Sequence, residues 1–127
     1  MLAKEITKDN LNDMVECFYT TILKDETVAP FFKKKFGTDM NSEAWKRHIR
    51  QLTNFWASLA FEGSEYRGDP SNPSSLLMGI EMKNVQQWLK LFYEVVDSKY
   101  EPKLAKVFKE CSSMMVGNFM RNLGLVA

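Results

Sequence analysis

Apolar residues recur at spacings of three and four along every periodic stretch of this chain, and nowhere do they alternate at period two over a useful length. The first stretch carries Leu11, Met14, Val15, Phe18, Tyr19 and Ile22 on one face, which predicts an amphipathic helix over residues 9–24 with Tyr19 on its buried side. A shorter helix over 27–36 follows, with Val28, Phe31 and Phe32 inward and Gly37 as a left-handed stop. Ser42 is placed to cap a third helix that runs to about residue 63, with Glu43 in the first turn where the helix dipole favours an acid. Residues 83–99 carry Val85, Trp88, Leu89, Phe92 and Val96 inward, and Pro102 opens a final helix that ends before Gly124. The pattern predicts an all-α chain of six or so helices, residues 1–127 forming a single domain without repeats.

Residues 63–75 break this rhythm. They are rich in Gly, Ser, Pro and Asn and have no period, which predicts a long loop of the kind that often walls a site, followed by a single helical turn over 76–82.

Composition narrows the function. With 45% hydrophobic and 13% aromatic residues, the 127-residue chain can fill a core without disulfide or metal staples. Seventeen basic against sixteen acidic residues give no basic density of the sort a nucleic-acid backbone requires. The one basic run, Lys33 to Lys35, reads as a solvated helix end. No window has the length of a membrane span, and the first ten residues lack the apolar run of a signal peptide, so the expected location is the cytoplasm. Cys17 and Cys111 are far apart in sequence, and Cys111 falls on the stripe Leu104, Val107, Phe108, Cys111 and Met115, so both are expected to be buried, reduced thiols. Two cysteines and one histidine are too few for a Cys/His metal site, though an oxygen-rich site stays open. No nucleophile with a paired base, no spaced carboxylate pair and no phosphate-binding glycine loop occurs, so no catalytic side chain is assigned.

The single histidine is the exception to a polar-out pattern. His48 lies on the same helical stripe as Trp45, Ile49, Leu52, Phe55, Trp56 and Leu59, where an imidazole needs a partner. An isolated histidine of this kind is most often satisfied within a core; it can also face a small-molecule pocket.

Phe18-Tyr19, Trp45-Lys46-Arg47-His48, Asn54-Phe55-Trp56-Ala57, Glu62-Gly63, Tyr66, Gly68 and Trp88-Leu89-Lys90-Leu91-Phe92 occur in an order and spacing that resembles the group III truncated haemoglobins, the two-over-two bacterial globins. The resemblance spans nearly the whole chain. It implies a globin-like, truncated two-over-two helical sandwich and a haem held between the third helix and the loop-plus-short-helix region, with Phe18, Leu52, Phe55, Leu77, Ile80 and Phe92 among its walls. It also implies that Tyr19, His48 and Trp88 line the distal side, where a phenol and an indole N–H can donate to a diatomic ligand such as oxygen or nitric oxide and a histidine can control access. Any nitric oxide or peroxide chemistry would then belong to the haem.

The chain departs from the family at the iron. The family's proximal histidine has aliphatic residues three and six places after it, an apolar residue at eleven, and then the Trp-Leu-x-x-Phe stretch. Leu77, Ile80, Val85 and Trp88 reproduce that frame, and its first position is Ser74, a poor iron ligand. No histidine follows His48. Three readings follow: the iron is bound by His48 from the opposite side, or by Met78 or Met82; the fold persists without haem affinity; or Ser74 replaces a histidine of an ordinary haem globin. A haem-free globin-like binding or interaction module is the alternative from a different functional class.

Overall fold

The computed structural model describes residues 2–60 and 81–122. Ser74, Leu77, Met78 and Ile80, the long loop, residues 76–80 of the expected short helical turn and the stop at Gly124 lie outside the described residues; Glu81 and Met82, the end of that expected turn, are the cap and first residue of the next helix.

Five helices are described, α1 (Lys8–Leu23), α2 (Ala29–Phe36), α3 (Glu43–Ala60), α4 (Met82–Lys99) and α5 (Pro102–Asn122). Among the described residues the only extended pairing is an isolated parallel bridge, in which Ala3 N–H donates to the Lys99 carbonyl and Glu101 N–H to that of Ala3. The chain is all-α.

α1 begins where Thr7 and Asn10 form a reciprocal capping box, each side chain accepting from the other's backbone N–H. It buries Leu11, Met14, Val15, Phe18, Tyr19 and Ile22, and each such side chain contributes about 1.5–3 kcal/mol by area removed from water. α2 stops at Gly37, whose N–H still donates to Lys33 while its backbone turns to φ 82°, ψ −171°. That is a positive-φ stop as expected, but in an extended, glycine-specific region and not in the left-handed helical one. The Gly37 carbonyl then accepts the Trp45 indole N–H at 2.9 Å, and Ser42 Oγ accepts the Trp45 backbone N–H at 3.3 Å, which together fix the start of α3.

α1 packs on α3, α4 packs on α5, and α1 joins the pairs through α4. Contacts set the directions. Asn12 meets Thr53 while Tyr19 meets His48, so α1 and α3 are antiparallel. Tyr100 meets Asn10, Phe92 meets Phe18 and Gln87 meets Asp25, so α1 and α4 are antiparallel too. The α2 end is latched by Asp25, whose carboxylate accepts from Thr27 and Val28 N–H and from Gln87, and by buried Asn84, which donates to the Thr27 carbonyl.

Three burial expectations are corrected. Among the described residues of α5 the buried ones are Ala105, Phe108, Ser112 and Val116; of the stripe expected from sequence, Leu104, Val107, Phe108, Cys111 and Met115, only Phe108 is buried, and Val107 is 49% exposed. Ala105 and Ser112 are small enough to let α4 approach, and the close contact wins over the larger side chains on the next stripe. Cys111 therefore sits at the edge, half-buried, as does Cys17 beside the α1 stripe; both are free thiols. Phe31 and Leu89 are likewise half-buried, while Ala29 and Leu91 fill the positions against the core.

Candidate functional site

Tyr19 of α1 is the hinge between two groups of rings. On one side its ring meets His48 of α3 edge-on at 4.8 Å, with Phe32 and Trp45 each at 5.5 Å. Phe36 stacks on the imidazole at 4.6 Å and 25°. On the other side Phe18 meets Trp88 edge-on at 4.9 Å, and Phe92 stacks on Trp88 at 5.7 Å and on Trp56 at 5.3 Å. Such edge and offset contacts follow the ring quadrupoles and add about 0.5–1.5 kcal/mol per pair beyond burial.

The electrostatics of this wall are set by desolvation. Burial pushes the Tyr19 hydroxyl well above its ordinary value, and the Trp88 indole N–H acting on the same oxygen offsets only part of that rise, so Tyr19 stays protonated. Burial pushes His48 down to about 4, so the imidazole is neutral near pH 7. Its Nε2 is a buried polar side-chain atom with no hydrogen-bond partner, and no other is found among the described residues. Such a nitrogen costs about 1–3 kcal/mol.

Of the site residues expected from sequence, Tyr19, His48, Phe18, Trp88 and Phe92 form one connected set of rings. Leu52 and Phe55 follow His48 by four and seven positions and share its half-buried side of α3, where Trp56, Thr53 and Ile49 are buried. Trp88 is also half-buried. Phe36 was not foreseen as a neighbour of His48; its four-residue spacing from Phe32, just ahead of the Gly37 stop, is the signal that places both on the same side of α2. Among the described residues no three His, Cys, Asp or Glu side chains gather as a metal site, and no described helix is long and apolar enough to cross a membrane.

No protein-family model matches the chain. Over 123 residues it is 28% identical to the group 3 truncated hemoglobin ctb of Campylobacter jejuni, covering 97% of this chain and 95% of that protein. Its fold matches the crystal structure of the group III truncated hemoglobin from Campylobacter jejuni with a TM-score of 0.81 at 26% identity, over 95% of this chain and 94% of the other. Over nearly its whole length the chain is similar to a group III truncated haemoglobin. The globin-like class expected from the sequence is thereby shown, and the α1–α3 and α4–α5 pairs are its helical layers.

Proposed function

We propose that the chain is a haem-binding globin that holds a small diatomic ligand such as oxygen or nitric oxide, working in the cytoplasm as a single domain. The observation that carries this reading is the neutral, unpartnered His48 Nε2 in an aromatic wall beside a protonated phenol. A core that served packing alone would have little reason to keep such a group. The residues present fit a haem: an apolar and aromatic surface to cover a flat macrocycle, hydrogen-bond donors, and an uncharged imidazole.

Haem, when bound, supplies the iron that holds a gas. The chain supplies the rest. Phe18, Leu52, Phe55 and Phe92 exclude water, with Leu77 and Ile80 proposed to complete the walls. Tyr19 cannot ionise at neutral pH and so keeps its O–H as a neutral donor beside His48. No side chain is proposed as a catalyst.

Titration of the purified chain with haemin, followed by desalting, tests the reading. The expected result is a Soret band that survives desalting at a one-to-one ratio. A band lost on desalting overturns it and leaves a haem-free globin-like binding module.

A further inference from the structure

A protein ligand to haem iron is an imidazole, a thiolate, a thioether or a phenolate. The chain has one histidine, two cysteines, eight methionines and four tyrosines from which to supply it. The described tyrosines are committed elsewhere: Tyr19 is held protonated, Tyr100 donates to Asn10 at 2.7 Å, and Tyr93 donates to the Lys109 carbonyl at 3.3 Å. Cys111 belongs to α5, which packs on α4 and meets the ring wall through Phe108 on Trp56, away from Tyr19, and Met14 is fully enclosed in the core. His48 differs from these five side chains. Its Nε2 is buried with nothing to bond to, and no hydrogen bond from the described residues holds the ring. Only ring contacts from Tyr19, Phe32, Phe36 and Trp45 do so.

We propose that the Nε2 lone pair of His48 is the protein's axial ligand to the haem iron, on the face where Tyr19 lies, so that a gas is held on the opposite face. This rests on the haem reading above. It exchanges the faces that the family resemblance implies, because Ser74 offers the iron nothing and His48 is the sole imidazole. Binding requires the imidazole to turn out of its stack on Phe36. The orphaned nitrogen gains its missing partner by doing so, which offsets the lost ring contact. The step is a dative bond from a neutral nitrogen. With Nδ1 carrying the ring hydrogen, no proton is released and the iron keeps its oxidation state.

Because the chain has one histidine, growth on 15N-histidine labels His48 alone. In the haem-loaded, dithionite-reduced protein exposed to nitric oxide, the electron paramagnetic resonance spectrum of the unlabelled chain should show a triplet splitting from an axial nitrogen. That splitting should become a doublet on labelling. Retained haem without any change on labelling overturns the assignment and leaves the haem reading standing, whereas no retained haem overturns both. His48→Ala, checked for helix content by circular dichroism, should retain at least tenfold less haem after desalting, and added free imidazole should restore the imidazole-type ferrous spectrum. A folded His48→Ala chain with the parent's spectrum and retention also overturns the assignment.

Discussion

The two ends of the aromatic core treat their polar atoms differently. At the α4–α5 turn Tyr100 packs against Phe108 at 4.7 Å and its hydroxyl reaches Asn10; nearby, Tyr93 reaches a carbonyl and carries the Lys109 ammonium 5.5 Å above its ring, with that ammonium 2.8 Å from Asp97. At the α1–α3 end an imidazole of similar environment is left without a partner. Both ends bury aromatic surface, so hydrophobic burial does not distinguish them. What does is that one end satisfies its donors and acceptors internally, as a structural core must, while the other keeps a nitrogen free. An unmatched group that persists at a cost is where a ligand is to be sought.

Phe92 is where the ends can be separated most forcefully. Its ring contacts Phe18, Trp56 and Trp88 and is 1% exposed. Phe92→Ala should cost about 3–5 kcal/mol in urea denaturation, from lost transfer energy plus a cavity between the two ends. A loss under about 1 kcal/mol would mean that the ends pack independently and that Phe92 does not join them.

The α1 and α3 faces were legible because each has one dominant apolar stripe, whereas on α4 Val85, Phe92 and Val96 were legible but Leu91 and Val95 take the places expected for Trp88 and Leu89; Ser42 as a cap and Pro102 as a first-turn residue were legible from local chemistry. On α5 Phe108 was legible but its companions were not, because Leu104, Val107, Cys111 and Met115 compete with Ala105, Ser112 and Val116 for the places beside it, and the choice between them is made by α4. Within the site, the helical stripe alone placed His48 among aromatic residues. Its contact with Tyr19 came from the resemblance, and its stack on Phe36 depends on the α2–α3 turn held by the Gly37–Trp45 bond. The Asp25 latch to Gln87 and Asn84 to Thr27 were unreadable for the same reason: they pair polar residues about sixty positions apart.

Acid and base should attack opposite ends. His48 titrates at about 4 in the folded, haem-free chain and at its ordinary value of 6.5 when unfolded, so the unfolded state binds the extra proton between those values. Stability is then full above about pH 6.5 and falls as pH drops towards 4, by about 3 kcal/mol in all. Tyr100 has the reverse sense: burial, and then the Asp13 carboxylate, push it up to about 12, so its contribution is present below pH 10 and lost as pH rises towards 12. Urea midpoints measured from pH 4 to 8 for the parent and for His48→Phe should show the acid slope only in the parent. An equal slope in the variant would assign it to carboxylates. Asp25 is the main candidate, since its bonds to Gln87, Thr27 and Val28 outweigh the rise that burial would cause and hold it below the ordinary carboxylate value.

The difference in satisfaction can be sharpened by removing a single oxygen. Tyr100→Phe leaves Asn10 Oδ1 with only its backbone donor from Thr7 and should cost about 1 kcal/mol in the same denaturation assay. His48→Phe removes an orphan without exposing another and should be neutral or stabilising by about 1 kcal/mol in the haem-free chain. If both variants lose stability equally, His48 Nε2 is satisfied in solution and the contrast between the ends disappears.

The smallest effect belongs to Tyr19→Phe, and its smallness is the point. The substitution keeps the ring that contacts His48 and Phe18 and removes only the hydroxyl, so folding should change little. If His48 occupies the iron on the Tyr19 face, a gas on the opposite face does not meet this hydroxyl, and the oxygen off-rate measured by stopped flow should shift by less than about threefold. A donor lost directly from the gas would instead raise the off-rate about tenfold or more, corresponding to about 1.4 kcal/mol. That larger change would put the gas beside Tyr19, return the two faces to the arrangement implied by the resemblance, and leave His48 as a neighbour of the gas in place of a ligand to the iron.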